Sequence, residues 1–186
     1  MTNSQIPNSF KPAIPSLLLD NLLVYGAASQ VYMNYNLDAL VAEIGELSEV
    51  AEAPITLTGE ASDVANIVAC GLLLDGAFDL RVGIKANSLE GLTLDITKGD
   101  VTTTVTLTED MIDGEYIVVY YDGLYINELD SEVTFTLKQN GEVVGKTLTF
   151  SANAYLYRMQ TSEDAALANL TKALYAYGMS AKTYNA

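Results

Sequence analysis

The spacing of apolar residues changes character twice along this chain. Leu18, Leu22 and Tyr25 recur at helical spacing and predict a first helix from about Leu17 to Asn34, with Ser16, after Pro15, placed to cap it. Leu37, Leu40, Val41, Ile44 and Leu47 fall at i, i+3, i+4, i+7 and i+10, which predicts a second short helix over Asn36–Leu47. Pro54 closes this helical opening.

From Ile55 the period drops from helical spacing to alternation. Phe78, Leu80, Val82 and Ile84 alternate with Asp79, Arg81, Gly83 and Lys85, and Leu92, Leu94 and Ile96 alternate with Thr93, Asp95 and Thr97. Such strands keep one face in water. Val101–Leu107 is threonine-rich, while Tyr116–Tyr121 is apolar on both faces and is expected to be central or covered by a helix. Val133, Phe135 and Leu137 alternate again. Asn140-Gly141 then marks a two-residue hairpin into Val143–Phe150. Asp75-Gly76, Lys98-Gly99-Asp100, Asp113-Gly114 and Asp122-Gly123 supply further turns, and the count is about eight strands. After Phe150 a short helix is expected over Ala152–Met159, followed by Ser162-Glu163-Asp164 as cap and acidic first turn of a last helix.

The first and last helices carry one motif. Leu18, Leu22, Tyr25, Gly26 and Tyr32 align with Leu170, Leu174, Tyr177, Gly178 and Tyr184 and share one helical face. A glycine inside a helix costs about 1 kcal/mol relative to alanine, so its presence in both copies implies that something packs on the bare backbone there. The expected fold is therefore α+β: an antiparallel, Ig-like β-sandwich flanked by an N-terminal and a C-terminal helix that form a pseudo-repeat. Residues 1–15, with Pro7, Pro12 and Pro15, read as a linker or tail that is neither signal peptide nor helix. Residues 16–186 read as a single domain, helical over 16–50, β-sandwich over 54–150 and helical over 152–186.

Composition narrows the function classes. The 24 acidic and 9 basic residues leave a net charge of −15, which repels phosphate backbones and anionic lipid, so neither nucleic acid nor membrane insertion is expected. No apolar run approaches the roughly 20 residues of a membrane-spanning helix. The chain has no histidine, which removes Ser-His-Asp and Cys-His catalysis together with the commonest zinc ligand. Cys70 is the only cysteine and lies in the apolar run Ile67–Leu72, so it reads as a small packed side chain.

Carboxylates and tyrosines are what remain. No local signature selects two of the carboxylates as a glycosidase pair, and no catalytic residue is assigned. Glu109, Asp110, Asp113 and Glu115 cluster in one turn, with Asp122, Glu128, Asp130 and Glu132 following, which makes calcium the one cofactor candidate. Their spacing matches no EF-hand loop, and acidic turns on so acidic a chain read first as solvated. Tyr120, Tyr121, Asp122 and Tyr125 crowd one hairpin and make a candidate sugar-stacking face, although Tyr120 and Tyr121 must point to opposite sides of any strand.

The order of these pieces resembles a family. Tyr25–Gln30 reads YGAASQ and is followed by Tyr32 and Tyr35. Tyr120–Leu124, Asp130–Leu137, Asn140-Gly141, Thr149-Phe150-Ser151 leading to Tyr155, and Leu174–Tyr184 come after it. The pattern is similar to the C-terminal module of many large extracellular proteins of gut Firmicutes such as ruminococci, over roughly residues 17–186. Phe150-Ser151 stands where that family has Tyr-Ser, and Met33 where it often has phenylalanine. The resemblance implies an extracellular or cell-surface, non-catalytic accessory or scaffold role, with neighbouring domains of the parent protein as partners and no established ligand. The alternative is a carbohydrate-binding module. Exposed, roughly coplanar tyrosines in a groove would favour binding, and mostly buried tyrosines would favour the scaffold.

Overall fold

The computed structural model describes residues 15–74 and 78–186, so the predicted Asp75-Gly76 turn and nearly all of the 1–15 tail lie outside the described residues. Among the described residues three helices, α1 (Ser16–Tyr32), α2 (Ala152–Met159) and α3 (Ala165–Tyr184), bracket ten strands. These are β1 (Thr56–Thr58), β2 (Ala65–Leu73), β3 (Asp79–Ala86), β4 (Leu92–Lys98), β5 (Val101–Thr106), β6 (Ile112–Asp113), β7 (Tyr116–Tyr121), β8 (Val133–Gln139), β9 (Glu142–Val143) and β10 (Thr147–Phe150). The count exceeds the expected eight because the two-residue β6 lies outside the expectation and because the expected Val143–Phe150 strand is broken at residues 144–146, where Gly145 takes φ 68°, into β9 and β10. In the β8–β9 turn Asn140 and Gly141 both have positive φ, 53° and 89°, as a type I′ hairpin requires.

All strand pairs are antiparallel and form two sheets. The larger runs β1-β10-β8-β4-β5 with β9 beside β8, and the smaller runs β2-β3-β7-β6. Alternation assigns their faces as read from the sequence. Leu92, Leu94 and Ile96 of β4 and Val133, Phe135 and Leu137 of β8 join Leu80, Val82 and Ile84 of β3 in one buried cluster between the sheets, with the Phe135 and Phe150 rings 5.5 Å apart. The other face of the larger sheet is polar. Thr97 bonds Thr102, Thr134 bonds Thr149, and Thr104 donates to Asp95.

The expected Asn36–Leu47 helix does not form, and the helical region ends at Tyr32 instead of reaching residue 50. Asn34 and Asn36 both take left-handed backbone, φ 52° and 50°, which turns the chain out of α1. The Gln30 side chain then accepts from the Val41 amide and donates to the Ala39 carbonyl, so it holds the turn where helical bonds would have run. Leu37, Leu40 and Val41 are left exposed. Further on, buried Gln160 donates to the Val50 carbonyl and accepts from its amide, which ties this irregular segment to the end of α2.

The cap expected from Ser16 is also absent: Pro15 occupies the cap position and no side chain bonds there. Proline lacks an N–H and fixes φ, so it starts the helix by conformation instead. The later caps follow their residues. Ser151 accepts from the Ala154 amide at the start of α2, and Asp164 accepts from the Ala166 and Leu167 amides at the start of α3, supported by Ser162.

The two matched helices meet across the length of the chain and run antiparallel. Asn21 donates to Ser180 and to the Ala176 carbonyl, Tyr25 stacks on Tyr177, and Ala28 packs with Ala173 and Leu170. Their glycines have different neighbours. A methyl on Gly178 would run into Leu129 and lie 2.9 Å from the Ile126 carbonyl oxygen, so α3 seats its bare backbone on the turn around residues 126–129. A methyl on Gly26 would meet only Val41 Cγ2, at 3.1 Å.

A candidate binding trough and an uncovered helix

The smaller sheet turns Ile67, Leu80, Val82, Ile84, Ile117 and Val119 to the core; on its opposite face Gly83 and Val118 are buried beneath exposed Tyr116, Tyr120, Arg81 and Lys85. What stands on that face is decided by a bulge in β2. Ile67 pairs with Ile84, but after the bulge Ala69 pairs with Gly83, Cys70 with Val82 and Gly71 with Arg81. One extra residue exchanges the faces of everything after it. Cys70 and Leu72 therefore turn to the core side, and Ala69 and Gly71 join Gly83 and Arg81 outside.

The result is a shallow trough of about 320 Å³ whose floor is Ala69, Gly71 and Gly83. Tyr116 of β7 forms one wall and Tyr155 of α2 the other, with Arg81 between them. A methyl built on Gly83 would lie 3.2 Å from Ala69 Cβ, whereas one on Gly71 would meet only the Tyr155 ring edge at 3.7 Å. Lys85 holds its ammonium 5.1 Å from the centre of the Tyr116 ring and 3.3 Å from Glu115, while Arg81 lies 3.9 Å from Asp113. Burial pushes the Tyr155 phenol up, reinforced by Tyr32 and opposed by the chain's two arginines, Arg158 and Arg81. Burial likewise pushes the Cys70 thiol up, opposed by Arg158, as fits a packed side chain rather than a reactive one.

The residues proposed from sequence as a sugar face are not brought together as one. Tyr120 is exposed on the outer face of the smaller sheet, beside Arg81, while Tyr121 packs against the core on the other side. Asp122 is exposed, and Tyr125, 73% exposed, lies beyond the strand at the turn containing Glu128. In that turn Lys98 donates to Glu128 and to the Gly123 carbonyl, both at 2.8 Å, a clamp between the β4–β5 hairpin and the loop after β7. Six of the twelve tyrosines are exposed and none is fully buried, so the tyrosines match neither a buried set nor a single platform.

Of the calcium candidates, Asp113 and Glu115 face Arg81 and Lys85 across the sheet, and Glu109 and Asp110 sit on a one-turn helix before β6. The Thr108 hydroxyl and a local backbone N–H hold the Asp110 carboxyl low. Asp130 pairs with Lys182 of α3. Among the described residues no three His, Cys, Asp or Glu side chains gather as a metal site.

The second open surface is helical. Leu18, Tyr25 and Ala28 of α1 face α3 or its surroundings, but Leu17, Leu19, Leu22 and Leu23 are exposed, Leu17 by 63%. Pro15, Leu17 and Leu18 also line a groove of about 480 Å³ with Met179, Thr183 and Tyr184. The start of α1 and the end of α3 therefore lie at the same end of the molecule. Among the described residues no helix is long and apolar enough to cross a membrane. No protein-family model matches the chain, and no curated protein is significantly similar to it.

Proposed function

We propose that the chain is a non-catalytic accessory module of a bacterial extracellular or cell-surface protein, which docks through the outer side of α1 against the domain adjoining it in that protein. The observation that supports this reading is the exposure of Leu19, Leu22 and Leu23 on the side of α1 turned away from α3, while Leu17 stands exposed at the mouth of the groove between the two helices. A helix apolar on nearly all sides is at home only when covered on nearly all sides. The occupant is named by position: Pro15 at the start of α1 and Tyr184 at the end of α3 line one groove, so the connections to both sides of the described helices start from the end of the molecule that carries these leucines.

The pseudo-repeat belongs to the same proposal, supported by Tyr25 stacking on its equivalent Tyr177 in an antiparallel pair. The reading calls for no cofactor. Its test compares the module alone with the module joined to the adjoining domain of its parent polypeptide. Amide exchange over residues 17–23 should slow in the joined protein, and the double variant Leu19→Lys/Leu23→Lys should restore the faster rate. Equal exchange in the two forms would overturn the docking role.

A further inference from the structure

We propose that the trough on the smaller sheet binds a neutral oligosaccharide. Tyr116 and Tyr155 would stack on its rings, Ala69, Gly71 and Gly83 would form the floor, and the Arg81–Asp113 pair would bond ring hydroxyls. This goes beyond the docking reading and does not depend on it.

The bare floor carries the argument. Glycine within a strand gives up side-chain packing and conformational entropy, and it commonly marks a bulge or a place where something approaches the backbone closely. At Gly83 crowding supplies a reason, since Ala69 stands 3.2 Å from the missing methyl. At Gly71 it does not, because the added carbon would make only one ordinary contact and the backbone is not in the left-handed region. Neither strain nor close packing calls for glycine there. A ligand lying over the floor does.

The walls and charges name the ligand class. Tyrosine rings match the apolar faces of pyranose rings, and a guanidinium beside a carboxylate offers donors and acceptors side by side, as adjacent sugar hydroxyls need. Arg81 and Lys85 are matched by Asp113 and Glu115 across the strands. The patch is therefore locally balanced on a chain of net charge −15, which favours an uncharged ligand over an anionic one. From β7 across β3 to β2 the floor spans two inter-strand spacings, about 10 Å, before the wall formed by α2, room for about two sugar rings rather than one.

The test is an array of neutral and uronate-containing oligosaccharides, followed by calorimetry with the best neutral binder. Gly71→Val fills the floor with a residue that suits an exposed strand. It should leave the melting temperature unchanged or raised while weakening binding at least tenfold. Tyr116→Ala should weaken binding to a similar extent, and Tyr125→Ala should leave it unchanged. No neutral binder, binding confined to uronates, or binding that survives both Gly71→Val and Tyr116→Ala would overturn the proposal. The amide-exchange test at α1 reads the docking role separately, so either idea can fail alone.

Discussion

The rings of Tyr25 and Tyr177 stack with centroids 6.0 Å apart and planes 14° from parallel. They occupy the same position in the two aligned helical motifs, so the first and last described helices meet through one repeated residue. The contact lies midway along the antiparallel pair, between the Asn21–Ser180 hydrogen bond on one side and the Ala28–Ala173 packing on the other. Around it the two glycines at the next position do different work, and that difference is measurable.

Gly178→Ala should destabilise the fold by about 1–3 kcal/mol, because the added methyl collides with Leu129 and with a backbone oxygen that has little freedom to move. Gly26→Ala should be neutral or stabilise by up to about 1 kcal/mol, since only the exposed Val41 side chain must give way and alanine is the better helix former. Urea titration of the two variants decides it. Equal effects would mean that the two glycines face equivalent surroundings.

Deleting residues from Leu170 onward should abolish cooperative unfolding. It removes the buried Leu170, Ala173, Leu174 and Ala181, leaves Leu129 without its cover, and exposes the packed side of α1. Leu174→Ala alone should cost about 2–5 kcal/mol, because Leu174 belongs to the main core. A truncated protein with an unchanged urea midpoint would contradict the packing described for α3.

The Asp95 carboxylate receives the Lys138 ammonium at 2.7 Å and the Thr104 hydroxyl at 2.6 Å, and these bonds hold it below the usual carboxylate range. A carboxyl lowered in the folded state adds stability above its unfolded value, near 4, and that contribution fades as pH falls through the folded value. Asp95→Asn should therefore cost up to about 1 kcal/mol at pH 7, and the gap to the parent protein should close as the pH approaches 2. Thermal melts of both proteins across that range would show a gap independent of pH if the pair contributed nothing.

Calcium at millimolar concentration should shift the melting temperature only slightly and without saturation. Two of the four clustered acids, Asp113 and Glu115, already face cations, and the described residues hold no gathered set of oxygen donors. A saturable micromolar affinity would reveal a site that these contacts do not account for.

The strand faces were legible because alternation is a property of adjacent residues, and β3, β4 and β8 bury the positions that their alternation picks out. The first and last helices were legible from their spacing, although the aligned Leu22 and Leu174 end up on opposite sides of the exposure divide. Two features were not. The 36–47 segment has helical spacing, yet Asn34 and Asn36 turn the chain and Gln30 supplies bonds to the turn, a tertiary choice that periodicity does not register. The trough depends on the bulge between Ile67 and Ala69. Read as one unbroken strand, Ile67–Leu72 would put Val68 and Cys70 outside and hide Gly71 inside. Only the pairing with β3 reverses that assignment. Tyr155 reaches the trough from a helix, more than seventy residues in sequence from the floor residues Ala69, Gly71 and Gly83, which no local pattern announces.

The pairing of α1 with α3 also sets a timetable. Asn21 and Ser180 are 159 positions apart, so during synthesis α1 is sheltered only when α3 follows it out of the ribosome. At roughly 5–20 residues per second that wait is on the order of ten to thirty seconds. During it the leucines of α1 have no partner on either side, while each β-hairpin finds its neighbour within a few residues of being made. Anything in a cell that holds incomplete chains would find α1 uncovered for as long as α3 is unmade.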